Sequence, residues 1–237
     1  MNRFQKDNAA ELNQLLAEQI LSRLRNAIDK EGEARLALSG GSTPIALFQH
    51  LSQQEFAWHK VKITLVDDRC VPADHKDSNA KLVRDNLLQN SAKDAQFCPL
   101  YLGDSVLEEK EKAYEAQAEV MLDQHFPNYA AVILGMGGDA HTASIFPQAI
   151  ERDAALDTEQ TKKCLVTHPV TASYIRLTQT LSHLLKTDLL ALHIVGAEKT
   201  ALFESVAQTT ANKAQGEYPI SYFIQQTQIP LSVYSCP

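Results

Sequence analysis

The residues able to do chemistry lie on short polar stretches that follow apolar runs. The clearest spans residues 130 to 147. Ala-Ala-Val-Ile-Leu runs into Gly135, Gly137 and Gly138, then Asp139 and His141, and the stretch closes at Pro147. Glycines permit positive φ or the close approach of a ligand to the backbone. The loop can therefore present an acid and an imidazole two residues apart. His141 reads either as a general base or as a structural hydrogen-bonding residue. The glycines and the acid beside it favour the base, with Asp139 or Asp67 orienting the ring or the substrate. The pattern also predicts a short helix starting after the glycines, whose positive dipole end should keep the ring neutral near pH 7. Gly135-x-Gly137-x-x-Ala140 fits the dinucleotide fingerprint. Pro147 cuts the expected helix after barely two turns, which argues against a nicotinamide cofactor.

A second stretch, Ser39-Gly40-Gly41-Ser42-Thr43-Pro44, combines glycines and hydroxyls at an expected helix start. Ser42 or Thr43 suits the N-cap and Pro44 the first helical position. Backbone amides there can cradle a phosphate, or the stretch is an ordinary capped turn. Ala37-Leu-Ser39-Gly-Gly41 only loosely matches a nucleophile elbow: the first glycine is missing, and this reads as the first strand. Lys199 falls in the first turn of a later helix, the wrong end of the dipole for a cation unless an anion binds beside it. Arg176, flanked by Ile175 and Leu177 in an expected strand, points opposite to them and can fork onto phosphate oxygens or simply face solvent. The other histidines show no paired ligand spacing, so no metal is expected. His75, near the same rim, is a weaker candidate.

These side chains need a frame. Leu12, Leu16, Ile20, Leu24 and Ile28 repeat at helical spacing, predicting a helix over 8–30 that Gly32 ends. Apolar strands are expected at 35–38, 61–66, 130–134 and 189–195, with further strands at 165–167 and 174–178 joined by a turn at Pro169, and a last one over 231–234. Helices are expected through Leu47 and Leu51, through Leu82 and Leu88, over 106–125, over 182–186, and through Phe203 and Val206. Alternating strands and helices imply an α/β fold, a mostly parallel central sheet with helices on both faces. Four polar loops (39–44, 67–69, 135–142 and 196–200) each follow a strand, so they should emerge together at one rim.

The chain has 237 residues, 44% of them apolar, which suits a single domain over 1–237. Net charge is -7 with no basic block, so nucleic acid is not an expected partner, and an anionic substrate would need locally gathered positive charge. No apolar run reaches the length of a membrane span. Cys70, Cys98, Cys164 and Cys236 are scattered. Reduced thiols and a cytoplasmic location are expected, with Cys70 packed rather than reactive. There is no internal repeat or linker.

Ser39-Gly-Gly-Ser-Thr-Pro44, Asp67-Asp-Arg69-x-Val71-Pro72 with Ser78-Asn79, Leu134-Gly-Met-Gly-Gly-Asp139-Ala-His141-Thr-Ala-Ser144-Ile-Phe-Pro147, Arg176-Leu-Thr178 and Gly196-Ala-Glu-Lys199 together resemble the 6-phosphogluconolactonases of the glucosamine/galactosamine-6-phosphate isomerase superfamily. The resemblance runs in order over most of the chain. It implies a three-layer, Rossmann-like α/β/α sandwich. It also implies hydrolysis of 6-phospho-D-glucono-1,5-lactone to 6-phosphogluconate in the oxidative pentose phosphate pathway, with no cofactor or metal, by a monomer or small homo-oligomer. By position, His141 looks like the general base and Asp67 and Arg69 like active-site polar residues. Ser39, Gly40, Gly41, Ser42, Thr43, Arg176 and Lys199 fall at the phosphate end. Two positions depart from the family pattern: Asp68 stands where Glu is usual, and Ala140 where Gly is usual. A deaminase acting on glucosamine 6-phosphate and a non-catalytic phosphosugar-sensing domain are the rival readings. The first lacks its loop glutamate here, and the second its DNA-binding module.

Overall fold

A computed structural model describes residues 1–103, 110–212 and 218–237. The chain opens on a strand, β1 (Asn2–Gln5), and then forms α1 (Ala9–Glu31). The Asn8 side chain caps α1 by accepting the Glu11 amide at 2.9 Å, and Gly32 stops it with φ 82. Of the expected stripe, Leu12, Leu16, Ile20 and Leu24 are buried and Ile28 is partly buried. Next come β2 (Ala34–Leu38), α2 (Ile45–Ser52), β3 (Val61–Leu65), β4 (Asp67–Arg69), α3 (Asn79–Asn86), β5 (Gln96–Phe97), α4 (Glu111–His125) and β6 (Ala131–Leu134). The helix expected over 106–125 is seen from Glu111; positions 106–109 lie outside the described residues. The chain continues through α5 (Arg152–Leu156), β7 (Cys164–Thr167), β8 (Arg176–Gln179), α6 (Leu181–Leu184), β9 (Leu190–Val195), α7 (Ala197–Asn212), α8 (Pro219–Gln225) and β10 (Leu231–Cys236).

The central sheet runs β1-β10-β9-β6-β2-β3-β5, and all its pairings are parallel. β6, at its middle, is buried along its whole length, as a strand covered on both faces must be. From β1 to β2 and on to β3 the chain moves one way across the sheet; from β6 to β9 to β10 it moves the other way. Parallel crossovers are right-handed. The two directions therefore put helices on opposite faces, giving three layers. The reversal falls between β2 and β6, so the loops after those neighbours flank the switch point where ligands bind in such sheets.

A second, antiparallel sheet, β4-β8-β7, was not expected as a unit. Residues 67–69 read as a loop, yet they form a strand paired with β8, because Val66 already directs its carbonyl to the Gln179 amide (2.8 Å). β7 and β8 pair antiparallel, as the turn at Pro169 suggested. α4 braces the open edge of β7: Glu119 accepts from the Lys163 and Cys164 amides and Glu115 from the Val166 amide. β1 has no sequence alternation to announce it, and the Phe4 ring stacked on Tyr234 at 4.7 Å helps to anchor it. Among the described residues, no helix is long and apolar enough to cross a membrane.

Candidate active site

The four loops do meet. One cleft of about 160 Å³ is lined by Ser39, Gly40, Gly41, Ser42 and Thr43 after β2, by Asp67 and Arg69 of β4, by Gly135, Gly137 and His141 after β6, by Arg176 of β8 and by Lys199 of α7. The space suits one small polar molecule. Asp139 does not line it; it stands behind His141 and contacts the ring.

The glycine loop differs from expectation in one important respect: no helix begins there. Ala140 and Ala143 both adopt left-handed backbone, φ 60 and φ 50, which interrupts helical hydrogen bonding. Ala140 thus takes the conformation for which the family's glycine is suited. The polar groups of the stretch bond across the loop itself and, at Ser144, to β8. Thr142 Oγ1 donates to Gly135 O at 2.8 Å, Gly137 N to His141 O at 2.9 Å, and Ser144 N to Thr178 Oγ1 at 3.1 Å. No helix dipole therefore acts on His141. With no helix after its glycines, the dinucleotide fingerprint also loses its phosphate-binding element.

Asp139 takes over the orienting role. Its Oδ1 lies 2.5 Å from His141 Nδ1 and accepts the His141 amide at 3.1 Å. Burial pushes the Asp139 carboxyl up, but the hydrogen bonds and charge of His141 outweigh it and hold the group below the usual carboxylate range. Asp139 is therefore an ionised acceptor near neutral pH, so Nδ1 must carry the hydrogen. The lone pair of the neutral ring then sits on Nε2. The ring stacks on Phe146 (centroids 4.2 Å apart) and lies over Gly137, where a Cβ would come within 2.1 Å of His141 Cε1. The His141 side chain keeps 27% exposure, so water reaches it.

Strand alternation sorts the three polar residues of β4. Asp67 and Arg69 face the cleft, and Asp68 between them points into the protein. The Asp67 carboxylate accepts from Ser144 Oγ at 2.5 Å. Asp68 accepts the amides of Arg69 (2.8 Å), Asn79 (2.7 Å) and Ala80 (3.1 Å), closing the N-terminus of α3. Burial pushes its carboxyl up to about 6 against those three donors. Asp68 is thus a support for the site and not a lining residue.

The cationic side is built from both sheets. Arg69 and Arg176 are register partners on β4 and β8, so two guanidiniums sit side by side on one face. Like charges in that position repel. Burial lowers Arg176 from the usual guanidinium value, and Asp67 works against the shift. Arg69 Nε is buried without a partner, and Lys199 has no ion pair among the described residues. Lining the cleft are three cations and one carboxylate, Asp67, in a chain of net charge -7. The Ser39–Pro44 turn adds backbone donors: among the described residues, the amides of Gly40, Gly41, Ser42 and Thr43 have no protein acceptor. α2 starts at Ile45, one residue later than expected, with Pro44 in the cap position and no side-chain cap, so the Ser42 and Thr43 hydroxyls are not spent on capping.

Asn79 also lines the cleft and was not among the expected site residues. Its side chain lies against Gly40, where a Cβ would meet Asn79 Oδ1 at 1.9 Å, and its Nδ2 donates to Asp67 O at 2.9 Å. From sequence it showed as the start of a helix and as part of the Ser78-Asn79 motif, with no role attached to it. Ser39 starts from a central strand and not the first one, and among the described residues no histidine hydrogen-bonds its hydroxyl, so the elbow reading finds no support. Cys70 is packed, its thiol pushed up to about 12 by burial.

Residues 7–231 match the family described as glucosamine-6-phosphate isomerases/6-phosphogluconolactonase. The chain is 38% identical over 231 residues to a 6-phosphogluconolactonase of Neisseria meningitidis serogroup A, covering 96% of each chain. It is 39% identical over 231 residues to a 6-phosphogluconolactonase of Rhizobium meliloti, covering 98% of this chain and 97% of the relative. A crystal structure of a 6-phosphogluconolactonase from Shewanella baltica OS155 superposes with a TM-score of 0.91 at 37% identity, covering 100% of this chain and 98% of that one.

Proposed function

The chain belongs to the family of glucosamine-6-phosphate isomerases and 6-phosphogluconolactonases, and on that premise we propose that it hydrolyses 6-phospho-D-glucono-1,5-lactone to 6-phosphogluconate with His141 as general base. The observation that carries the reading is the pairing, in one small cleft, of an Asp139-oriented imidazole with three cations and a turn of free amides.

The steps follow from the atoms. His141 Nε2 takes a proton from water as the water oxygen attacks the lactone carbonyl. Asp139 holds the imidazolium that forms. The oxyanion is met by Arg69 or by amides of the glycine loop. The carbonyl re-forms, the ring C–O bond breaks, and the leaving alkoxide takes the proton back from Nε2. The ester is already activated, so water suffices as nucleophile. Arg176, Lys199 and the Gly40–Thr43 amides hold the phosphate, and that remote binding fixes the carbonyl against the base.

The test is the rate of lactone loss above spontaneous hydrolysis. His141→Ala should lower kcat by about 10²–10⁴-fold, the usual reach of general base catalysis, while 6-phosphogluconate still binds. Wild-type turnover by that variant would remove His141 from its role. Ammonia release from glucosamine 6-phosphate would assign the deaminase reaction instead, and tight phosphosugar binding without turnover a sensing role.

A further inference from the structure

Among the described residues, neither cationic guanidinium is held by an acid. Arg69 Nη1 donates to the backbone carbonyl of Asp77 at 2.6 Å. Arg176 Nε and Nη2 both donate to the backbone carbonyl of Ser173, at 3.3 and 3.1 Å. Each arginine is thus aimed by a carbonyl of a neighbouring loop: 70–78 for Arg69, and the β7–β8 turn for Arg176. Carbonyls leave the full positive charges for a ligand, but their aim is only as good as the loops are fixed.

One residue ties those loops together. Tyr174, next to Ser173, donates its hydroxyl to Asp77 Oδ2 at 3.1 Å, and its ring meets His75 edge-on at 5.6 Å. His75 Nδ1 in turn accepts the Asp77 amide at 3.2 Å. Tyr174 holds left-handed backbone, φ 70, a conformation that a bulky residue keeps only where its surroundings over-determine it. The ring and hydroxyl contacts are what determine it here. The same Asp77 therefore supplies a carbonyl to one arginine and a carboxylate to the strap that locates the other.

We infer that Tyr174 is a positioning residue: its hydroxyl, bound to Asp77, sets the spacing of Arg69 and Arg176 and so pre-orders the anion end of the cleft. The inference rests on the reading of this cleft as a phosphosugar site. It is tested with Tyr174→Phe, which removes no charge, keeps the ring against His75 and leaves both arginines and both carbonyls in place.

Binding of 6-phosphogluconate and of inorganic phosphate, by calorimetry, gives the first arm. The expected result is a Kd for 6-phosphogluconate weakened about 5- to 30-fold, the scale of ordering one or two long side chains on binding. KM for the lactone should rise in step, with kcat changed less than about threefold and the thermal midpoint within a few degrees. Asp77→Asn, which keeps a carbonyl acceptor for the tyrosine, should retain affinity. Asp77→Ala should lose as much as Tyr174→Phe, and the double variant no more than either alone. Wild-type affinity in Tyr174→Phe, or additive losses in the double variant, would overturn the strap. So would a wild-type protein that binds neither phosphate probe. Absence of lactone turnover with intact phosphate binding would instead fail the proposed reaction, and the binding arm would still decide the role of Tyr174.

Discussion

Replacing Asp139 with Asn probes the His141–Asp139 pair without emptying its space. Asp139 Oδ1 accepts two hydrogens, from His141 Nδ1 and from the His141 amide. The amide is a fixed donor. An asparagine there should keep its oxygen, and not its NH2, facing both groups, so the ring should keep its tautomer with Nε2 unprotonated. What is lost is the negative charge. A hydrogen bond to a charged group contributes about 1.5–3 kcal/mol and a neutral one about 0.5–1.5, a difference near 1–1.5 kcal/mol. With His141 as the proposed base, the loss falls mainly on the transition state, where the imidazolium would form. Both side chains are partly exposed, 27% for His141 and 38% for Asp139, so solvent screens the rest of the attraction. Since 1.36 kcal/mol is tenfold in rate, kcat should drop about 5- to 15-fold with KM nearly unchanged. Asp139→Ala, which removes the acceptor and frees the ring, should fall further, towards His141→Ala. The assay is initial lactone loss with the spontaneous rate subtracted. Wild-type kcat in Asp139→Asn would show that the acid takes no part. A loss as deep as that of His141→Ala would show that the amide does not hold the tautomer.

Two further outcomes follow from close packing and from burial. Gly137→Ala should abolish most turnover with a thermal midpoint close to wild type, because the new Cβ would sit 2.1 Å from His141 Cε1 and must displace the ring while the core is untouched; unchanged kcat would mean the ring need not lie where it does. His193 is buried with neither ring nitrogen partnered among the described residues, and burial pushes it down from 6.5 to about 4. A base depressed by folding contributes stability above its unfolded value, and that stability is lost as pH falls through the folded one. The window is therefore pH 6.5 to 4, and the stability lost across it is about 3 kcal/mol. His193→Leu should flatten the fall of urea-unfolding free energy across that window and leave stability at pH 7.5 unchanged or higher; parallel curves for the two proteins would refute it.

What was legible in the sequence was whatever repeats locally. The α1 stripe, its glycine stop and the buried strands before each polar loop all follow from patterns a few residues long. The gathering of the loops at one rim follows from strands being parallel. Illegible were features decided by distant partners. Asp67–Arg69 is too short and too polar to show a period, and it becomes a strand because β8 lies alongside. The helix expected after Gly138 is broken by left-handed backbone at Ala140 and Ala143, and the Ser144 amide goes to Thr178 of β8. A neutral His141 was expected from the positive end of that helix, which is absent. An ionised Asp139 fixes only which ring nitrogen carries the hydrogen, Nδ1, and so which one, Nε2, faces away from it. Tyr174 and Asp77, 97 positions apart, carry no mark in either local sequence.

The cleft lies on a seam between two sheets with different contributions. The parallel sheet contributes backbone amides, the imidazole and Lys199; the small antiparallel sheet contributes both arginines and Asp67. Such a site works only if the two are locked in register. Ser144 does much of that locking. Its amide donates to Thr178 Oγ1, its carbonyl accepts from Thr167 Oγ1 and its hydroxyl donates to the Asp67 carboxylate. All three partners belong to the small sheet, and Ser144 follows His141 by three residues. A continued helix would have spent the Ser144 amide on its own backbone. The left-handed alanines therefore cost local stability of order 1–2 kcal/mol each, and in return they turn Ser144 toward the second sheet, fixing His141 relative to the cations of the cleft.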